Sequence, residues 1–147
     1  MKFVVLDTGV VVAGIFWRNE PHACLRGWLH GLFCPVVSDE TFAEYERVLR
    51  EVKSEEGFRT DIEPWLDAMR SSALWVTPVQ LSDPVCRDRH DDKFIGAALG
   101  AGAETLIARD PDLTVLQKPF GIEILTPRAW LSRLTRAQRR LLDETSA

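Results

Sequence analysis

Short apolar runs that alternate with helical patterns constrain the fold of this chain most strongly. Residues 3–6 (FVVL) and 105–108 (TLIA) are continuous apolar runs, as expected for strands that are buried on both faces of a parallel sheet. Three weaker strand patterns lie at residues 35–37, 74–77 and 122–125. Helical patterns separate these runs. The alternation predicts an α/β fold, a three-layer α/β/α sandwich with a mostly parallel central sheet.

Capping residues and amphipathic spacing place the predicted helices between the strands. Residues 38–53 carry the clearest pattern, because Ser38 or Asp39 can cap the helix and apolar residues recur on one face. The other predicted helices cover residues 8–16, 20–33, 61–71, 91–100 and 126–134. The length predicts a single domain over residues 1–147, with residues 135–147 as an extra helix or a frayed tail.

The composition is typical of a soluble cytoplasmic protein. Apolar residues make up 46% of the chain and charged residues 27%, which is ordinary for a globular domain. No run reaches the roughly 18 to 20 apolar residues of a membrane span, and the N-terminus lacks the longer apolar stretch of a signal peptide. The three cysteines form no C-x-x-C pair, so we expect reduced thiols rather than a disulfide framework or a zinc knuckle.

The charge is distributed unevenly along the chain. The net charge of −4 argues against a general electrostatic attraction between the whole protein and nucleic acid. Residues 37–72 carry ten acidic and five basic residues, whereas residues 127–147 carry five arginines against two acidic residues. An acidic body with a basic tail is compatible with both a metal site and a local phosphate-binding face.

Two acidic residues follow the two strongest strand patterns. Asp7 directly follows the first run, and Asp110 follows the late run after Arg109. Functional residues gather outside the carboxyl ends of parallel strands, so both carboxylates are candidates for a site at one edge of the sheet. Each has an alternative role as the N-cap of the following helix, which Pro111 strengthens for Asp110. One carboxylate can serve both roles.

Further acidic candidates lie on two predicted helices. Asp91 and Asp92 begin one helix, and Glu44 lies at the margin of the apolar face of another. Their alternatives are an acidic helix start favoured by the helix dipole and a solvated surface residue. If Asp91, alone or with Asp92, joins Asp7 and Asp110, the repelling carboxylates need a cation. Hard carboxylate oxygens favour Mg²⁺ or Mn²⁺ over zinc.

The order of these acidic blocks resembles that of a PIN domain. The blocks are VLDTGVVV at 5–12, SDETFAEYERVL at 38–49, DDKF at 91–94 and LIARD at 106–110. The resemblance covers residues 2 to 134 and is strongest for the toxin components of toxin–antitoxin systems, related to VapC-type ribonucleases. It implies a metal-dependent ribonuclease that acts on RNA, forms a homodimer and binds a cognate antitoxin protein. Trp17 and Trp28 are candidates for an interface, with core packing as the alternative.

The resemblance also implies the roles of the acidic residues. Asp7, Glu44, Asp91 and Asp110 would form the catalytic pocket. Asp7, Asp91 and Asp110 would hold Mg²⁺ or Mn²⁺, with Asp92 as an accessory ligand. Glu44 would orient or deprotonate the attacking water.

Neighbouring residues receive supporting roles by the same resemblance. Asp112 is a second accessory carboxylate, and Thr8 would supply a hydroxyl near the metal. Arg109, Lys93 or Arg18 would meet substrate phosphates, with ordinary solvated surface charge as the alternative.

Three departures from the family pattern keep a second function open. Gly9 stands where the family usually has Asn, Ala108 where a small hydroxyl residue is common, and His90 where an acidic residue is frequent. A PIN-like fold that has lost catalysis and binds nucleic acid or protein is therefore the alternative. A phosphoacceptor receiver domain would need an acidic pair after the first strand, and a dinucleotide-binding domain a G-x-G-x-x-G motif there. The chain has neither.

Overall fold

The central sheet is fully parallel in the computed structural model, which describes residues 2–144. Its strand order is β3-β2-β1-β4-β5. The strands are β1 (Phe3–Leu6), β2 (Cys34–Val37), β3 (Leu74–Trp75), β4 (Thr105–Ile107) and β5 (Glu123–Leu125). Val5 lies opposite Val36 on one side and Leu106 on the other. The predicted α/β fold with a mostly parallel sheet is confirmed.

Strand β1 lies at the centre of the sheet and of the core. Val4, Val5 and Leu6 are all at most 2% exposed. Because successive side chains of a strand point to opposite faces, both faces of the sheet are covered. The chain connects β1 to β2 on one side and reaches β4 on the other, so the connections diverge between β1 and β4. Such a switch point opens a crevice at the carboxyl ends of the strands.

Helices connect the strands throughout the described part of the chain. They are α1 (Thr8–Phe16), α2 (Glu20–Leu29), α3 (Asp39–Glu56), α4 (Glu63–Ser72), α5 (Asp92–Ala101), α6 (Pro111–Thr114), α7 (Pro127–Ser132) and α8 (Arg136–Glu144). Two 3₁₀ turns add to them, at Arg89–Asp91 and Pro119–Gly121. The predicted segment 135–147 is thus helical as far as Glu144, and residues 145–147 lie outside the described residues.

Cap geometry explains where α3 begins and where α2 and α3 end. Helix α3 begins with a reciprocal capping box, in which the Thr41 N–H donates to Ser38 Oγ and the Ser38 N–H donates to Thr41 Oγ1. It continues beyond the predicted end to Gly57, which adopts the left-handed conformation. Helix α2 ends at Leu29, earlier than predicted, because Gly31 at φ 76° turns the chain toward β2.

The segment after β3 leaves the sheet earlier than predicted and packs on α5. The Val79 N–H donates to the Gly96 carbonyl at 2.9 Å. A Cβ atom at Gly100 would clash with the Thr77 carbonyl oxygen, so the glycine permits this close approach. Helix α5 ends at Gly102, at φ 64°. The predicted strand over 74–77 is therefore only Leu74–Trp75.

Two tryptophans considered for an interface have different environments. Trp28 is 6% exposed, and its Nε1–H donates to Ser72 Oγ at 3.1 Å. The ring therefore packs in the core, which is the alternative role considered for Trp28. Trp17 is 44% exposed and meets the Phe58 ring edge-on at 5.3 Å. Among the described residues, no helix combines the length and apolar character needed to cross a membrane.

Candidate metal centre

Asp7 is buried where the ends of β1 and β4 meet. Its Oδ1 accepts the Val10 N–H at 2.8 Å, which caps α1, and its Oδ2 accepts the N–H groups of Arg109 at 3.1 Å and Asp110 at 3.3 Å. Burial raises the pKa of Asp7 to about 6, against the lowering effect of the three N–H donors. A carboxylate has about four acceptor positions, so roughly one position of Asp7 stays open.

Three further carboxylates converge beside Asp7. Asp110 follows β4, and its Oδ1 caps α6 by accepting the Asp112 N–H at 2.9 Å. Asp91 lies in the turn that leads into α5. Asp91, Asp110 and Asp112 each offer a ligand oxygen, and these oxygens lie within 4.8 Å of one another. The predicted cap roles of Asp7 and Asp110 are confirmed. Asp110 also belongs to this acidic group, whereas Asp7 lines the same cleft but is not among the residues whose oxygens converge, so its role as a direct metal ligand stays a prediction.

One oxygen of this group lacks a partner. Asp91 Oδ2 is buried and accepts no hydrogen bond from the part of the chain that the structure describes. Burial, together with the nearby carboxylates of Asp110 and Asp88, raises the pKa of Asp91 to about 7. A buried, unpaired carboxylate oxygen is unfavourable unless a proton or a cation satisfies it. An all-oxygen cluster with such an atom fits a hard divalent ion.

Asp92 belongs to a different part of the structure. Its carboxylate accepts the Cys86 N–H at 2.7 Å and the Val85 N–H at 3.1 Å. Burial alone would raise the pKa of Asp92, but these N–H donors hold it below its ordinary value. The predicted accessory ligand Asp92 thus stabilises the loop before α5, because adjacent positions at a helix start point in different directions. Asp112 stands in the acidic group instead.

Glu44 reaches the group from α3. Lys93 Nζ lies 2.6 Å from Glu44 Oε1, and the Thr8 hydroxyl donates to Glu44 Oε2. Glu44 and Lys93 are 19% and 15% exposed. The solvated alternative for Glu44 is wrong, since the side chain turns inward. The phosphate contact of Lys93 stays a prediction, and in this structure its ammonium group is bound to Glu44.

These acidic side chains line an open cleft of about 370 Å³. Its lining residues are Asp7, Thr8, Gly9, Glu44, Asp91, Phe94, Arg109 and Asp110. The structure therefore brings the four predicted acidic residues to one cleft. Arg109 is exposed at the mouth of this cleft. Together with Arg128, it also lines a second cleft of about 300 Å³. Arg18 is exposed and is not among the lining residues.

The three departures from the family pattern affect the cleft unequally. Gly9 lines it, and a Cβ there would meet Asp7 Oδ1 at an ordinary 3.6 Å. A polar side chain at position 9 would thus have room. Ala108 is fully buried and lies outside the lining, whereas His90 lines a separate cleft with Arg89. Only Gly9 removes a polar group from the acidic site.

Sequence reasoning missed two residues that complete the site. Arg87 Nε lies 3.2 Å from Asp112 Oδ1, and Phe94 lines the cleft beside the acids. Phe94 could have been found from its place on α5, three residues after Asp91. Arg87 carried no signal, because a lone arginine in an irregular segment has no pattern that predicts its partner.

The comparison with protein families agrees with this architecture. A model of the PIN domain matches residues 3–112, about three quarters of the chain. No curated protein and no solved structure showed a significant match. The matched region contains β1 to β4 and every acidic residue of the cleft. The chain therefore belongs to the PIN-domain family, whose members are generally metal-dependent nucleases.

Proposed function

We propose that this protein is a metal-dependent ribonuclease that hydrolyses RNA phosphodiesters. The observation that carries the proposal is the convergence of Asp91, Asp110 and Asp112 within 4.8 Å, with a buried and unpaired Asp91 oxygen among them. Membership of a nuclease family supports the reaction class. The choice of RNA rests on the resemblance of the sequence to toxin ribonucleases.

The carboxylates have different roles in the proposed reaction. Asp91, Asp110 and Asp112 would hold Mg²⁺ or Mn²⁺, and Asp7 would add negative charge behind them. When bound, such an ion supplies Lewis-acid chemistry at a phosphoryl oxygen and at the attacking water. Lys93 and Thr8 use two of about four acceptor positions on Glu44. The remaining positions would orient the attacking water or take its proton while the phosphorus–oxygen bond to the leaving ribose breaks.

Arg109 is placed to bind the substrate. Its backbone N–H is fixed on Asp7, whereas its exposed side chain lies between the acidic cleft and the neighbouring cleft. A guanidinium group binds phosphate through paired hydrogen bonds. Arg109 would therefore hold the phosphate next to the scissile one and compensate the repulsion between RNA and the carboxylates.

Cleavage of single-stranded RNA tests the proposal. We expect the full chain to cleave RNA with Mn²⁺, and expect EDTA or Asp91→Asn to abolish cleavage. Asp91 makes no side-chain cap, so this variant is cleaner than Asp7→Asn, which would disturb three backbone contacts. A single-stranded DNA of the same sequence tests the substrate. Equal cleavage by wild type, EDTA-treated protein and Asp91→Asn would contradict a metal-dependent activity.

We also propose that the protein is the toxin of a toxin–antitoxin pair and a homodimer. The support is the resemblance of the acidic blocks to VapC-type toxins. A short upstream reading frame for a small DNA-binding protein would support the pairing. Expression of the chain should then arrest growth, and co-expression of that small protein should relieve the arrest. Sedimentation at several concentrations measures the dimer.

A binding module without catalysis is the second candidate, and Gly9 favours it. The cleft lacks the polar side chain that the family usually places beside the first acid, although the space for one is present. Under this alternative, the chain would bind RNA or a protein but would bind no Mn²⁺. Metal titration therefore separates the two functions.

A further inference from the structure

We infer that Lys93 serves as a built-in cation of the acidic cleft, so that the site binds one divalent ion rather than two. The inference rests on the proposed metal site formed by Asp91 and Asp110 with Asp112. It assigns to Lys93 the place at Glu44 that a second ion would otherwise occupy.

The contacts of Lys93 fix its ammonium group inside the site. Nζ lies 2.6 Å from Glu44 Oε1, and both side chains are largely withdrawn from solvent. The Thr8 hydroxyl donates to the other Glu44 oxygen. Nζ also lies 5.9 Å from the centroid of the Phe94 ring, which lines the cleft. Glu44 therefore has a donor on each oxygen before any metal binds.

A second ion at Glu44 would have to displace these donors. Removing one partner of a shielded ion pair leaves the other charge uncompensated, which is strongly unfavourable. An ion that bound without displacing Lys93 would lie next to a positive charge in a poorly solvated place. The structure is consistent with this separation, because Glu44 is not among the carboxylates whose oxygens converge within 4.8 Å.

The charges of the site balance with a single divalent ion. The site contains five carboxylates, namely Asp7, Glu44, Asp91, Asp110 and Asp112. Three cationic side chains contact or line it, namely Lys93, Arg87 and Arg109. With all groups charged, two negative charges remain, and one divalent ion neutralises them. A second divalent ion would leave the site positive before a substrate phosphate arrives.

Calorimetric titration of the metal-free full chain with MnCl₂ tests the inference. We expect wild type to bind one Mn²⁺ ion and Lys93→Met to bind two, because methionine keeps the apolar stem and frees Glu44. Lys93→Arg should remain at one ion, as should Glu44→Gln, since Glu44 is not a ligand. Lys118→Met, a change at an exposed lysine in the loop before β5, is the matched control and should also bind one ion.

The possible outcomes test the role of Lys93 and the proposed metal site separately. Two ions on wild type, loss of the ion in Glu44→Gln, or a single ion on folded Lys93→Met would overturn the role of Lys93 while leaving a metal site in place. Should Lys93→Met fail to fold, Lys93→Gln, which also removes the positive charge, takes its place with the same expected count of two ions. Wild type that binds no Mn²⁺ would overturn the proposed metal site and this inference with it.

Discussion

Replacing Asp91 by Asn should stabilise the metal-free protein while removing its activity. The folded structure raises the pKa of Asp91 from 3.8 to about 7, through burial and the neighbouring Asp110 carboxylate. The folded protein therefore binds more protons than the unfolded chain between about pH 4 and pH 7, and its stability falls as pH rises through that window. The uncharged amide of Asn escapes this loss, and it can donate to Asp110.

The size of the gain follows from the pKa change. Each pKa unit corresponds to about 1.4 kcal/mol, and solvent screening of this partly exposed group leaves roughly 1 to 2 kcal/mol at pH 8. The midpoint of thermal unfolding should rise by about 3 to 6 °C. At pH 5 the gain should be less than half as large, because Asp91 is then mostly protonated in the folded state.

Thermal unfolding in EDTA at pH 5 and pH 8 measures this difference. Asp83→Asn, at an exposed loop position, is the matched control and should unfold like wild type at both pH values. A lower midpoint for Asp91→Asn at pH 8, or a gain that is equal at both pH values, would refute the reasoning. Added Mn²⁺ should raise the midpoint of wild type and leave that of Asp91→Asn unchanged.

Three other predictions test the charge, the substrate contact and the fold. Burial raises the pKa of Asp7 to about 6, so Asp7 should contribute about 2 kcal/mol to the fall in the unfolding free energy of the metal-free protein between pH 4 and pH 8, in addition to the contribution of Asp91. Denaturant midpoints of Asp91→Asn in EDTA measure the Asp7 contribution, and stability that rises over this range would contradict it. Arg109→Gln should raise KM for RNA about tenfold with a smaller change in kcat, because it removes a charge-assisted phosphate contact worth about 1.5 kcal/mol. Steady-state kinetics measure this change with Lys118→Gln as the control, and an unchanged KM for Arg109→Gln would contradict the prediction. Gly100→Ala should lower the free energy of unfolding by about 1 to 3 kcal/mol, because the new Cβ meets the Thr77 carbonyl. Urea unfolding measures this free energy, and an unchanged value would contradict the close approach.

The sequence was sufficient where local patterns reflect the fold directly. The continuous apolar runs at 3–6 and 105–108 predict central parallel strands that are buried on both faces, and the structure places them there. Because parallel strands end at one edge, placing Asp7 and Asp110 together required only the strand assignment. Their cap roles were equally local, since a carboxylate bonds N–H groups two or three residues ahead.

The remaining features depend on contacts between distant parts of the chain. Adjacent Asp91 and Asp92 are equivalent in sequence, and only the path of the loop at 85–86 decides that Asp92 binds backbone N–H groups. Lys93 meets Glu44 across 49 positions of sequence, so its charge could be assigned to substrate phosphate just as readily. The early end of β3 likewise reflects packing of residues 77–79 on α5, which no local pattern contains.

A crystal structure of the protein grown with MnCl₂ would test the central claim most directly. Anomalous scattering from manganese locates the ion without reference to any assumed ligand. We predict one peak within coordination distance of carboxylate oxygens of Asp91, Asp110 and Asp112, with Lys93 still bound to Glu44. A cleft without a peak, or a peak on Asp92 instead, would contradict the account.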